Sequence, residues 1–181
     1  LPPIEEALAA YRRLAGANPD RYEPDLARSL TNVGIGLSEL GRPQDALPPI
    51  EEAVSLRRRL AEANPDRHEY DLANSLNHLG VVLFELGRPQ EALPASQEAV
   101  SAYRRLAAVN PDRYEPNLAD SLWELGHRLD GPEQRSRAIE LLRESAAVYE
   151  RVVHRNEARY RDKYQRLLAF LRRLGYDADT T

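Results

Sequence analysis

Apolar residues recur at three- and four-residue intervals along most of the chain. Ile4, Ala7, Leu8, Tyr11, Leu14 and Ala15 form the first series, and that spacing puts them on one face of a helix over residues 1–17. Asn18-Pro19 reads as its stop, because Asn tolerates a left-handed C-terminal position and Pro cannot continue the helix. A second series, Leu26, Leu30, Val33, Leu37 and Leu40, predicts a helix that begins near Glu23-Pro24-Asp25. Proline is favoured in a first turn and acids suit the positive end of the helix dipole. Gly41 ends this helix, and Arg42-Pro43 opens the next, which runs to about residue 63. Pro48 and Pro49 fall beyond its first turn, where a missing N–H and a ring clash are costly. A kink or a loosened turn is therefore expected near 44–49, and again at 90–94 around Pro94.

The pattern then repeats. Residues 47–92 match residues 1–46 at 31 of 46 positions, and self-similarity at a fixed period is the mark of a repeat array. Asn64–Ala92 copies Asn18–Ala46, and Asn110–Ala138 is a weaker copy. The third copy replaces ELGRPQEA by LDGPEQRSRA, with Gly131-Pro132 early, so a shorter helix and a less regular turn are expected there. The following helix should span about 133–155. Arg159-Tyr160 keep phase with Arg113-Tyr114, which favours a turn near Asn156 and a last helix over 159–174. Its polar surface suits a terminal cap, and residues 177–181 should fray. The expected fold is all-α, a right-handed superhelical solenoid of antiparallel helix pairs with a 46-residue repeat. Its parts are a half repeat at 1–17 (a B helix), repeats at 24–63, 70–109 and 116–155, and the cap at 159–174.

Composition narrows the chemistry. The 181 residues include no Cys and no Met, and only one Lys, Lys163. A disulfide framework, a thiol nucleophile and a thiolate metal site are thereby excluded. No apolar run approaches a membrane span and no signal-peptide pattern is present, so the segment reads as cytoplasmic, without a membrane role. It starts at Leu1, inside a repeat, and is expected to be a piece of a longer protein. The net charge of −4 is uneven: residues 1–150 hold 17 basic and 25 acidic side chains, a balance of −8, and residues 151–181 hold 8 and 4, a balance of +4. The basic end suits an acidic partner, although a solvated helix surface explains it as well and nucleic acid is not the expected partner.

Within each unit one subset of positions resembles the tetratricopeptide (TPR) signature. In the first copy it is Leu30, Val33-Gly34, Leu37, Gly41, Ala46, Ile50 and Ala53. In the second it is Leu76, Leu79-Gly80, Leu83, Gly87, Ala92, Ser96 and Ala99. The third has Leu122, Leu125-Gly126, Leu129, Ala138, Leu142 and Ser145. Gly34 and Ala46 would let the A and B helices of one repeat approach closely. The length of the repeat and its NPD…DLA entry resemble the kinesin-light-chain type, which also occurs in actinobacterial multidomain regulators. The resemblance implies peptide or protein binding in a concave groove lined by A helices. In that register the first copy contributes Arg28, Thr31, Asn32, Ile35 and Ser38. The second contributes Asn74, Asn77, His78, Val81 and Phe84, and the third Asp120, Trp123, Glu124 and His127. Asn suits an extended backbone, since its amide both donates and accepts. The groove positions differ between copies, as from Arg28 to Asn74, Thr31 to Asn77 and Asn32 to His78, while the framework does not. Two readings of Trp123 stand open: a ligand anchor, or packing on the terminal helix near Leu167 or Phe170.

No phosphate loop, HExxH or Gly-x-Ser-x-Gly motif occurs, and the segment is not expected to be an enzyme or to carry a cofactor. His78, His127 and Glu124 are the one combination that suggests a metal, and a polar helix face explains them better. Three function classes follow: a binding scaffold, a ligand-sensing or autoinhibitory array in a larger nucleotide-switch regulator, and a self-assembly module that stacks through its exposed repeat ends.

Overall fold

One residue separates each B-type helix from the A-type helix that follows it. Asn18 accepts the amide of Arg21 through its side chain at 3.3 Å, and its own amide donates back to Leu14 O at 2.9 Å. It thus caps two helices at once, satisfying a free donor of one and a free acceptor of the other. Asn64, Asn110 and Asn156 repeat the device, accepting from Arg67, Arg113 and Arg159 at 3.2–3.3 Å. The expected left-handed stop is corrected by this: Asn18 has φ −149° and ψ 86°, which is extended backbone. The A helices accordingly begin earlier than the expected 24, 70, 116 and 159. Proline occupies the first helical position at Pro19, Pro65 and Pro111, where its missing N–H costs nothing.

The computed structural model describes residues 2–129 and 134–176, with side chains from Glu6 onward. These residues form α1 (Pro2–Ala17), α2 (Pro19–Glu39), α3 (Pro43–Ala63), α4 (Pro65–Glu85), α5 (Pro89–Val109), α6 (Pro111–Arg128), α7 (Arg135–Arg155) and α8 (Glu157–Arg173), with no strand among them. The loosened turns expected at 44–49 and 90–94 are absent, because α3 and α5 run unbroken through their prolines. Pro48 and Pro49 deprive the carbonyls of Gln44 and Asp45 of a donor, and both residues lie on an exposed first turn where water can replace it. As expected, α6 is shorter, at 18 residues against 21 for α2 and α4, and Asn156 parts α7 from α8. The readings at Gly131-Pro132 and at 177–181 lie outside the described residues.

The A-to-B turns close as the glycines require. Gly41 and Gly87 take φ of 70° and 68°, and the next amides, of Arg42 and Arg88, reach back to Leu37 O and Leu83 O at 2.9 Å. This is the six-to-one bond of a Schellman motif, and only glycine enters it without strain. Gly175 ends α8 in the same way, with φ 78° and Tyr176 N on Leu171 O at 3.0 Å.

Two compact units divide the chain, residues 1–99 and 100–181. In the first, α2 packs on α1 and α3, and α4 packs on α3 and touches α2. Its core holds Leu26, Ala27, Leu30, Ile50, Ala53 and Leu76, each at most 5% exposed. In the second, α7 packs on α6 and α8 around Leu122, Leu142, Val148, Tyr149, Leu167 and Leu171. The small residues of each hairpin matter most. A methyl built on Gly34 would stand 2.2 Å from Ile50 Cγ1 and 3.2 Å from Ala46 O. On Gly80 it would meet Ser96 Oγ at 2.2 Å, and on Gly126 it would meet Leu142 Cγ at 2.8 Å. A hydrogen at these positions sets the distance between A and B helices.

Candidate functional site: the A-helix faces

In the first unit the candidate face lies on α2 and α4. Asn32 is exposed there, Ile35, Asn74, Asn77, His78 and Val81 are half-buried, and Phe84 is 38% exposed. Arg28 is exposed and pairs with Asp25 at 2.7 Å. Ser38 donates to Glu85 at 2.7 Å, which ties α2 to α4 at one edge of the face.

Thr31 does not belong to this face. It is 2% exposed, and its hydroxyl donates to Ala27 O at 3.0 Å and lies 2.9 Å from Ser75 Oγ. Ser75 is also buried and accepts from Arg57 Nη1 at 2.8 Å, while the same nitrogen donates to Asp71 O. A small hydroxyl fits between two helices when its hydrogen bonds are met there, so Thr31 is a packing residue joining α2 to α4. The Arg57 charge reaches further. Burial, and secondarily Arg57, hold the imidazole of His78 below its ordinary pKa, so His78 stays neutral.

In the second unit α6 meets α8. Trp123 stacks on His127 at 5.5 Å between ring centroids and takes the edge of Phe170 at 5.3 Å. His127 lies 4.9 Å from Phe170. The packing alternative for Trp123 is thus realised, with the indole only half-buried. Asp120 accepts from Lys163 Nζ at 2.8 Å on both oxygens and from the hydroxyl of Tyr149. Burial, then the Asp120 charge, push the Tyr149 phenol well above its ordinary pKa, which keeps it a donor. Glu124 pairs with Arg128 one turn on.

Phe170 was one of the two partners expected for a packed Trp123, while the contact of Lys163 with Asp120 escaped the sequence reading. The phase that aligns Arg159-Tyr160 with Arg113-Tyr114 would have placed α8 as a further A helix beside α6, and so would have found it. A row of cross-repeat ion pairs also escaped it: Arg12 with Glu52 and Arg58 with Glu98 in the first unit, Arg104 with Glu144 in the second. Each spans 40 residues, and the recurrence of Arg and Glu at the period was the available signal.

Comparison with known proteins supplies the family. Two patterns, each described as tetratricopeptide repeat, match residues 26–68 and 71–151. The chain belongs to the tetratricopeptide repeat family. Among solved structures it is similar to the nearly identical TPR-like repeats of a Podosopora anserina putative kinesin light chain. The identity is 18% over 98% of this chain and 90% of that one, with a TM-score of 0.56. A point variant of that protein matches at 20% identity over 94% and 86% of the two chains, with a TM-score of 0.57. At this identity the likeness is one of fold, and it agrees with the kinesin-light-chain type that the long repeat resembles. No curated protein matches.

TPR repeats generally mediate protein–protein interaction, and TPR scaffolds are typically non-catalytic. Among the described residues of this TPR chain no cluster of three His, Asp or Glu could hold a metal ion, and His78 and His127 lie in different units. No described helix is long and apolar enough to cross a membrane.

Proposed function

We propose that this TPR segment is a cytoplasmic, non-catalytic scaffold that holds a peptide or an extended segment of a partner protein on the A-helix faces of its repeats. The repeats are read as α2–α3, α4–α5 and α6–α7, with α1 as a half repeat and α8 as a cap. The observation that carries the reading is the composition of the α2–α4 face. Asn32, Asn74 and Val81 keep accessible surface on the helices that also carry Phe84, an exposed large apolar side chain, while Leu30, Ile50 and Leu76 are sealed. Accessible amides next to apolar surface suit an extended backbone: the amides pair with peptide groups and the apolar side chains receive every second residue. Affinity capture from the source cell with the wild type and with Asn32→Ala/Asn74→Ala tests it. Partners present with the wild type should be missing or depleted with the variant. Recovery of the same partners in the same amounts by both would remove the α2–α4 face from consideration.

A further inference from the structure

We propose that the edge of α8 that faces α6 is a docking strip for an acidic segment of a partner protein, held by Arg166 and Arg173 beside the Trp123–His127–Phe170 rings. The proposal rests on the reading of A-helix faces as binding faces and names the chemistry for one of them.

The contacts of α8 fix which edge this is. Lys163 reaches Asp120 and Phe170 touches Trp123 and His127, so both point toward α6. At about 100° per residue, Arg166 and Arg173 lie roughly 60° and 80° from Lys163, on the same side as Phe170. Leu167 and Leu171, which are 1% exposed, lie on the other side. The two arginines therefore project from the α6-facing edge into solvent, and both are exposed. Their neighbours on α7 and α8 are engaged: Arg161 by Glu157, Lys163 by Asp120, Arg151 and Arg155 by Glu115. Arg166 and Arg173 make no ion pair or hydrogen bond among the described residues. Two guanidinium groups without a partner among the described residues border the rings, of which Trp123 and Phe170 are half-buried, and so offer charge for carboxylates and apolar surface for what lies between them.

Spacing sets the ligand. Seven residues of helix separate the arginines by about 10.5 Å. An extended chain covers that distance in about three residues. The strip fits two acidic side chains three positions apart, with an apolar residue between them over Phe170. Two guanidinium groups match two carboxylates, and they offer no run of cations for the successive phosphates of a nucleic acid.

The test uses the whole chain and an array of short labelled peptides. In each, two aspartates stand two to five positions apart with leucine between them, and asparagine versions and oligothymidylate serve as controls. Anisotropy should show the tightest binding at a separation of three, and loss with asparagine. Arg166→Gln/Arg173→Gln should weaken it by about tenfold per arginine, with unchanged circular dichroism because neither side chain packs. Asn32→Ala/Asn74→Ala should bind these peptides like the wild type. Binding that ignores separation, that is equal for asparagine, or that survives the arginine double variant overturns the strip. So does oligothymidylate binding more tightly than any peptide through the same arginines. If only the asparagine variant loses the peptides, the strip fails while the α2–α4 face stands.

Discussion

Replacing Gly34 by alanine and replacing Gly36 by alanine should have opposite signs, although the two stand on the same helix two residues apart. Either change gains about 1 kcal/mol from helix propensity. At Gly36 nothing lies within 4 Å of the new methyl, so Gly36→Ala should stabilise by up to about that amount. At Gly34 the methyl would stand 2.2 Å from Ile50 Cγ1 and 2.7 Å from its Cδ1, whereas carbon atoms rest about 3.5–4.0 Å apart. Ile50 must therefore retreat by more than an ångström. It is β-branched and fully buried, so it has little rotamer freedom, and Ala46 O closes the other side at 3.2 Å. Overpacking of this kind costs up to about 3 kcal/mol, which leaves Gly34→Ala about 2 kcal/mol less stable than wild type. Urea unfolding followed by far-ultraviolet circular dichroism measures both. A double-mutant cycle with Ile50→Ala sharpens the test: alone that change should cost about 2–5 kcal/mol, and with Gly34→Ala distinctly less, because the methyl fills the space vacated. If Gly34→Ala stabilised as Gly36→Ala does, or if the two changes at 34 and 50 simply added, the close approach of α2 and α3 would not be what fixes glycine there.

Phe170→Ala should shift the emission of Trp123, the only tryptophan of the chain, to the red and cost about 1–3 kcal/mol, below the range for a fully buried ring; unchanged emission would deny the α6–α8 contact. Glu115→Gln should cost about 1–3 kcal/mol in thermal or urea unfolding. The carboxylate is 6% exposed and paired with Arg151 and Arg155, and the exposure of those arginines at 55% and 38% of their side chains reduces the cost from that of a sealed pair; no loss would show the pairs to be idle. His68 and His78 are both held below the ordinary imidazole value of 6.5, mainly by burial. The unfolded chain then binds more protons than the folded one, so their contribution is complete above about pH 6.5 and is lost as pH falls toward the folded pKa. His78→Gln should flatten stability between about pH 5 and 7, and a slope equal to that of wild type would count against burial as the cause.

The framework was legible in the sequence because each of its demands is local. An apolar series at helical spacing, a glycine at a Schellman turn and a glycine opposite a large side chain one hairpin later all act within a single repeat, and the period copies them. Helix starts were misjudged because Asn-Pro carries two meanings. It can stop a helix in the left-handed region, or it can cap two helices with one extended residue, and only the side-chain bond from Asn18 to the Arg21 amide decides between them. Thr31 was misplaced for a related reason. Alone it reads as a surface residue; its partner Ser75 lies 44 residues away, and no local pattern announces that pairing.

That misplacement changes how differences between copies are to be weighed. Variation at Thr31/Asn77 suggested a ligand face, on the argument that framework positions do not vary. Yet the slot holding Tyr11, Tyr103 and Tyr149 in other copies holds Arg57 in the second. Arg57 binds Ser75, which binds Thr31. In the third copy Tyr149 instead donates to Asp120, which also receives Lys163. An exchange of tyrosine for arginine within the core thus changes what its neighbours on the A helices must supply, as at Thr31, Ser75 and Asp120. Differences at such positions follow from packing without any ligand. The positions whose variation still speaks for binding are those outside these networks: Asn32 and Val81 on the first unit and Arg173 on the second, where the side chain keeps accessible surface and makes no hydrogen bond or ion pair among the described residues.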